Sequence, residues 1–323
     1  MTHYVLGFDI GGTKTYATLA NLDGELLAEE YAPTIRWTGQ PDYGGQFVRL
    51  RDALLRQSGL SSSQIAAAGV AVAGIMDPGT NRVVMCPNIS DNEFDLQALI
   101  EGALSIPAHV ENDVNLAAVG EHWRGAARNC PHFVFLAIGT GIGAGVFING
   151  QLYRGAHNAA GEAGHLYVHG VDRIGPDGLG ALERRASGVG IAMLARQRLA
   201  EGAAQTELDE GNITTGAVLR AAAHADPLAT EVLVETLTTL ALGLANVAFV
   251  LDPEMIVIGG GVGSMGDILL APLRERLAAL LVHPVAPRLV LSELGVKAQL
   301  YGAVRHALDF IGREVPNRSC KGD

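Results

Sequence analysis

Cysteine is scarce in this chain. Its 323 residues include only Cys86, Cys130 and Cys320, which are too few and too scattered for a disulfide framework. This scarcity favours a reducing compartment, so we expect a cytoplasmic location. The N-terminus lacks a basic segment followed by an apolar run and a cleavage site, so a signal peptide is not expected. Polar residues interrupt the most apolar long stretch, 237–251, which predicts a buried helix rather than a membrane span.

Basic residues are also in the minority. Lys and Arg together number 23 against 34 Asp and Glu, which gives a formal net charge of −11. A nucleic-acid surface needs clustered Lys and Arg, so this composition argues against nucleic acid as a partner. It favours a small polar or phosphorylated ligand instead.

Glycine, by contrast, is abundant. The chain contains 41 glycines, which predict many tight turns or close approaches between backbone segments. The length and the hydrophobic fraction of 48% predict a large core, divided between about two domains.

The most informative glycines lie near the N-terminus. The run Asp9-Ile10-Gly11-Gly12-Thr13-Lys14 directly follows an apolar segment, 4–8, that reads as a strand. Such a loop offers backbone N–H groups to phosphate oxygens, with Asp9 placed to hold a hydrated cation and Thr13 and Lys14 placed to donate to the anion. The alternative is an ordinary hairpin turn that happens to contain Gly-Gly.

Two further glycine loops follow apolar strands. The segment 133–145 repeats the plan of strand, loop and second strand, with Gly139, Thr140 and Gly141 in its loop, and suggests an internal duplication with a nucleotide between the halves. The alternative is chance similarity between two hairpins. A third loop, 259–263, begins with Gly259, Gly260 and Gly261 and would suit close approach to a purine or to a helix. The alternative is a strand-to-helix turn with packing glycines.

The remaining pattern alternates strands and helices and is typical of an α/β protein. Apolar runs and turn signals predict strands at 4–10, 16–21, 25–30, 65–74 and 108–111, and helices at 46–57, at 95–103 and from about 113 onwards.

Taken in order, the motifs resemble those of the ROK family, which comprises bacterial sugar kinases and related repressors of the actin-like ATPase superfamily. The resemblance covers nearly all of the chain. The motifs that carry it are DIGGTK from Asp9, VAVAGIMDP from Val70, PNI from Pro87, END from Glu111, GTGIGAG from Gly139, GEAGH from Gly161 and GGGVG from Gly259.

This resemblance implies a two-lobed, ribonuclease H-like α/β fold with nucleotide and sugar in the cleft between the lobes. The small lobe would comprise 1–116 and 303–323, and the large lobe 117–302. By the same carry-over, the loops at 11–14 and 139–143 flank the phosphates of ATP, the glycines at 259–261 lie near the adenosine, and Asp9 positions Mg²⁺ through its water shell.

Asp113 resembles the catalytic base of the family. Phosphoryl transfer to a sugar hydroxyl needs positioning, charge neutralisation and a carboxylate that accepts the proton. The alternative is that Asp113 only caps the helix that follows it. The residues that resemble the family's sugar-contacting set are Asn112, Asp113, Glu162, His165 and Glu183. Glu162 and His165 are three residues apart, so on a helical turn they would share a face.

One departure concerns zinc. Many family members bind structural zinc with the GEAGH histidine and a cysteine cluster, but the equivalent stretch here, 175–183, contains no cysteine. Zinc prefers thiolate and imidazole ligands, so we expect no structural zinc. A substitute site built from His165, His169 and Asp172 or Asp177 is the alternative.

The resemblance implies an ATP-dependent kinase that phosphorylates the 6-hydroxyl of glucose or of a closely related hexose. N-acetylglucosamine, N-acetylmannosamine and fructose remain alternative substrates, and polyphosphate an alternative donor. A sugar-sensing repressor is less expected, because Asp9 lies almost at the chain start, before which no DNA-binding domain would fit, and because the charge is wrong for DNA. The expected partners are sugar and ATP, without nucleic acid or membrane, and family analogy suggests a homodimer.

Overall fold

Strands and helices alternate along the chain in the computed structural model, which describes residues 3–40, 42–80, 82–86, 89–90, 93–168, 178–202, 206–282 and 286–312. The strands are β1 Tyr4–Ile10, β2 Lys14–Asn21, β3 Leu26–Pro33, β4 Ile65–Val72, β5 Ile75–Met76, β6 Val83–Met85, β7 Ala108–Asn112, β8 Phe133–Ile138, β9 Ile142–Ile148, β10 Gln151–Tyr153, β11 Met255–Gly259 and β12 Arg288–Leu291. The helices are α1 Gly45–Ser58, α2 Leu96–Leu104, α3 Asp113–Arg124, α4 Ala181–Ala186, α5 Gly188–Ala200, α6 Thr215–Ala223, α7 Pro227–Leu251, α8 Gly260–Gly263, α9 Asp267–Leu280 and α10 Ala298–Phe310.

The contacts between residues divide the chain into two units. The first comprises Met1–Pro131, Gly145–Ala160 and Val296–Asp323, and the second comprises His132–Ala144 and Gly161–Gly295. These bounds differ from the lobe boundaries at 116 and 303 expected from the sequence. The division keeps all of α3 in the first unit, because this helix packs along α10 and not only on the strand before it.

The first unit contains a sheet with the strand order β3-β2-β1-β4-β7. Strand β1 lies at its centre, antiparallel to β2 and parallel to β4, and β4 is in turn parallel to β7. In register, Ile10 lies beside Val72, and Val72 lies beside Asn112. The turn after β1 and the start of α3 therefore lie at the same end of these neighbouring strands.

Helices cover both faces of the sheet. Leu6, Phe8 and Ile10 are completely buried in a core shared with α1 and α2. On the other face, Val5 packs with Val304 of α10 and with Trp123 of α3. Because both faces of β1 are covered, its sequence is a continuous apolar run rather than an alternating one.

Helices α3 and α10 approach each other closely enough to require glycine. A Cβ added at Gly302 would overlap the carbonyl oxygen of Leu116, and one added at Gly120 would overlap that of Ala298. Each glycine therefore faces the backbone of the opposite helix, which fixes the position of α3 against the sheet.

A second sheet has the strand order β10-β9-β8-β11-β12, in which β8, β11 and β12 run parallel. The strand residues Val134, Leu136, Ile256 and Ile258 are buried in a core shared with α5, α7 and α9. Helix α7 is long and apolar enough to span a membrane by length and composition alone. Its residues Val232, Leu237, Leu240 and Leu244 are buried in this core, as the sequence predicts for a core helix.

The glycines at 259–263 form a strand-to-helix turn, which is the alternative that the sequence left open for them. Strand β11 extends through Gly259, and the short helix α8 begins at Gly260. Gly260 has a φ of +81°, which makes the abrupt change of direction that lets a helix start at once.

The fit between α3 and α10 leads to a stability prediction. Changing Gly302→Ala is expected to lower the free energy of unfolding by about 1–3 kcal/mol, because the new methyl group meets backbone that no rotamer change can move away. Denaturant unfolding of the purified variant measures this.

The matched control is Gly102→Ala on the exposed face of α2, where a Cβ would meet no atom within 4 Å among the described residues. This change is expected to raise stability by up to about 1 kcal/mol through helix propensity. Equal unfolding midpoints for the two variants would contradict the close packing of α3 on α10.

Candidate functional site

The first glycine loop is a tight hairpin between β1 and β2. The Gly11 N–H donates to the carbonyl of Lys14 at 3.0 Å, and the Thr34 hydroxyl donates to the carbonyl of Gly11 at 2.7 Å. Gly12, Thr13 and Lys14 are exposed. The loop has the geometry of an ordinary hairpin, which was the alternative expected from the sequence. Its exposed residues are the ones expected to bind phosphate.

Asp9 lies at the end of β1, just before this loop. The pKa of its carboxyl is raised to about 7, chiefly by burial and also by the nearby charge of Asp113. The structure thus brings these two predicted carboxylates close together within the first unit. A hard cation would offset this repulsion, and carboxylate oxygens are ligands that Mg²⁺ accepts. No cluster of three or more His, Cys, Asp or Glu side chains suited to a metal occurs among the described residues.

Asn112 caps helix α3. Its Oδ1 accepts from the N–H groups of Val114 and Asn115 at 2.9 and 3.0 Å, and its Nδ2 donates to the carbonyl of Gly74 at 3.0 Å. Asp113 is the first residue of the helix, and its Oδ1 also accepts from the Val114 N–H, at 2.9 Å. The N-cap of α3 is therefore Asn112 and not Asp113, for which capping was the alternative role expected from the sequence.

Glu111 is a buried acid directly before this cap. Its carboxylate accepts from the Asn112 N–H at 2.9 Å, from Asn115 Nδ2 at 3.1 Å and from Arg154 Nε at 2.5 Å. The sequence placed Glu111 in the END motif but predicted no role for it. It did not predict that Asn115 or Arg154 would contact this carboxylate. The available signal was a carboxylate within the predicted strand 108–111, since such a group needs hydrogen-bond donors when it is buried.

In the second unit, Glu162 and His165 bracket a single 3₁₀ turn, Ala163–His165. His165 Nε2 lies 4.0 Å from Glu162 Oε2, and both side chains are partly exposed. Burial raises the pKa of Glu162, His165 opposes this effect, and the charge of Glu183 adds to it. The structure thus brings the predicted residues Glu162, His165 and Glu183 together.

The second glycine loop joins β8 to β9. The Gly139 N–H donates to the carbonyl of Gly141 at 2.9 Å, and the carbonyl of Gly139 accepts from the Gly188 N–H at 2.8 Å. At the other end of the loop, the N–H of Ile142 donates to Glu183 Oε1 at 3.0 Å. One end of the loop is therefore hydrogen-bonded to Glu183 of α4 and the other to Gly188, the first residue of α5.

An open pocket of about 650 Å³ lies in the second unit. The predicted residues Gly139, Thr140 and Gly261 line it, whereas Gly141, Gly259 and Gly260 do not. Its remaining walls come from α5, α6 and α8 and from the residues before α6; these are Gly188, Val189, Ala192, Arg196, Ile213, Thr214, Thr215, Gly216, Leu219 and Val262. Apart from the glycines, no pattern in the sequence pointed to these positions.

Most of the residues considered for a substitute zinc site lie outside the described residues. His169, Asp172 and Asp177 lie in the stretch 169–177, and Pro87 of the PNI motif also lies outside. The expectation of no structural zinc therefore stays a prediction. His165 is described and partly exposed beside Glu162.

Comparisons with known proteins place the chain. A glucokinase from Halalkalibacterium halodurans is 32% identical over 289 residues, covering 88% of this chain and 88% of that protein. A xylose repressor from Caldicellulosiruptor bescii is 26% identical over 275 residues, covering 84% of this chain and 69% of that protein.

Among solved structures, a ROK family glucokinase from Streptomyces griseus in complex with glucose and AMPPNP superposes with a TM-score of 0.79 at 28% identity, covering 95% of this chain and 99% of that one. The predicted α/β fold class and the predicted resemblance are confirmed. Residues 5–309 match the sequence pattern that defines the ROK family, and this chain belongs to that family.

Proposed function

We propose that this protein is an ATP-dependent hexose kinase that phosphorylates the 6-hydroxyl of glucose or a closely related hexose. The observation that carries the proposal is the likeness, over nearly the whole chain, to a glucokinase structure holding glucose and AMPPNP. Asp113, at the start of α3 beside Asp9, supplies the carboxylate that the reaction needs.

In the proposed reaction Asp113 is the general base. The sugar 6-hydroxyl passes its proton to the Asp113 carboxylate as its oxygen bonds to the γ-phosphorus of ATP. The bond between that phosphorus and the β,γ-bridging oxygen breaks, which releases ADP. The cap of α3 is provided by Asn112, so the Asp113 carboxylate is not required to start the helix.

Each glycine loop has backbone suited to phosphate. Gly11, Gly12, Thr13 and Lys14 of the first loop, and Gly139, Thr140 and Gly141 of the second, offer donors to the phosphates. The apolar walls of the 650 Å³ pocket suit an adenine ring, next to Gly261 and, behind it, Gly259 and Gly260. Asp9 is the residue that would hold Mg²⁺ through its water shell, and this ion, when bound, neutralises charge on the phosphate oxygens.

The sugar would be bound by carboxylate, imidazole and amide groups. Glu162, His165 and Glu183 offer acceptors and donors for neighbouring hydroxyls, and Asn112 contributes from the start of α3. Because the Asn112 Oδ1 already accepts two backbone N–H groups, only its amide nitrogen has a hydrogen left for the sugar. N-acetylhexosamines and fructose remain alternative acceptors for the same site.

A sugar-responsive regulator is the second candidate, because the xylose repressor is similar over 84% of this chain. Such a protein would bind sugar without turnover, so phosphoryl transfer separates the two functions. The proposal also includes a cytoplasmic location, which the scarcity of cysteine favours, and a homodimer.

The role of Asp113 predicts the effect of Asp113→Asn. Turnover of ATP with glucose is expected to fall at least about a hundredfold, because the variant loses the proton acceptor, while glucose binding changes only a few fold. An ADP-release assay with glucose, mannose, fructose, N-acetylglucosamine and N-acetylmannosamine measures this loss and also ranks the substrates. Asp42→Asn, on an exposed residue, is the matched control and should keep full turnover. Near-normal turnover in Asp113→Asn would exclude Asp113 as the base.

The buried pair of Glu111 and Arg154 predicts a second effect, through the position of Asp113. Arg154→Met leaves the Glu111 carboxylate without its cationic donor and is expected to lower stability by about 1–3 kcal/mol, less than for a fully buried pair because Arg154 is 41% exposed. Since Glu111 also holds Asn112 and Asn115 around Asp113, turnover is expected to fall while the KM for ATP stays close to normal. Arg56→Met, at an exposed position on α1, is the control for loss of a positive charge. Equal turnover in both variants would contradict the positioning role.

A further inference from the structure

The carboxylate of Glu183 contacts the second glycine loop rather than pointing only towards the sugar-binding candidates. Glu183 lies in the first turn of α4, and its Oε1 accepts from the N–H of Ile142, the residue at which β9 begins. This N–H belongs to the residue immediately after Gly141. The hydrogen bond therefore fixes the point at which the loop ends.

The loop backbone is shaped to admit this carboxylate. A Cβ added at Gly141 would overlap Glu183 Oε1, so any larger residue there would displace the carboxylate or the loop. A Cβ at Gly164 would lie 3.2 Å from the Cβ of Glu183 and 2.7 Å from the carbonyl oxygen of Ile142. Glycines on two separate segments thus make room for one side chain and for the backbone that it holds.

The same short segment fastens the other end of the loop. The Ser187 N–H donates to the Glu183 carbonyl at 3.0 Å, and Ser187 caps α5 by accepting from the Gly190 N–H at 3.0 Å. The next residue, Gly188, donates its N–H to the carbonyl of Gly139. Residues 183–188 therefore hold the loop at both ends, by a side chain at Ile142 and by backbone at Gly139.

We propose that Glu183 is a positioning residue for the nucleotide: its carboxylate holds the loop Gly139–Gly141 in the conformation that binds the phosphates of ATP. The inference rests on the proposed kinase function and gives Glu183 a role beyond sugar contact. Glu183 Oε1 accepts from the N–H of Ile142 in the loop, and Glu183 Oε2 lies 3.4 Å from the backbone nitrogen of Gly180. One carboxylate thus connects the phosphate loop to the segment that carries Glu162 and His165.

The test compares Glu183→Ala with Glu183→Gln. The alanine variant loses the acceptor for the Ile142 N–H, whereas the glutamine variant keeps an oxygen at the same reach. We expect the Kd for AMPPNP and the KM for ATP to rise about tenfold or more in Glu183→Ala, the effect of losing a hydrogen bond to a charged acceptor, and to lie within about threefold of wild type in Glu183→Gln.

Glu162→Gln is the matched control from the same group of acids, and it is expected to raise the KM for glucose and leave AMPPNP binding unchanged. If Glu183→Ala does not fold, Glu183→Asp replaces it, because the shorter side chain keeps the charge but cannot reach Ile142. Unchanged AMPPNP binding in the folded alanine or aspartate variant, or equal loss in the glutamine variant, would overturn the proposal. Failure of the wild-type protein to bind AMPPNP would instead count against the kinase function itself.

Discussion

Close approach of backbone segments at glycines is the constraint on which both units depend. In the first unit, Gly302 and Gly120 bring α10 against α3, and α3 begins at Asp113. In the second unit, Gly164 faces the carbonyl oxygen of Ile142, and Gly141 leaves room for the Glu183 carboxylate beside the second glycine loop. Where backbone faces backbone, no rotamer change can relieve an overlap, so the two segments keep a fixed separation. This accounts for the abundance of glycine in a protein that must position small ligands.

On this framework, hydrogen bonds set the chemistry of individual carboxylates. Three donors surround the buried carboxylate of Glu111, which helps to hold the first turn of α3. Asn112 caps that helix, and Asp113 is its first residue. Phosphoryl transfer needs just such a fixed arrangement, since most of its catalysis comes from positioning and electrostatics.

Much of this fold follows from local sequence patterns. The apolar run 4–10, the turn after it and the helix from Asp113 were predictable because period and turn signals lie within a few neighbouring residues. The pairing of Glu111 with Arg154 was not predictable, since it joins residues 43 positions apart through tertiary contact. That Asn112 rather than Asp113 caps α3 could not be read from the sequence, because Asn and Asp are equally good caps and only geometry separates them. The walls of the pocket from α5 and α6 were missed because these helices carry no local sequence signal that they line a pocket.

The claim that phosphoryl transfer occurs to the sugar 6-hydroxyl is tested most directly by ³¹P nuclear magnetic resonance of a reaction with ATP, Mg²⁺ and glucose. The account predicts that ATP is converted to ADP and to a phosphomonoester at carbon 6 of the sugar, in equal amounts. Release of inorganic phosphate alone, or glucose binding without loss of ATP, would contradict it.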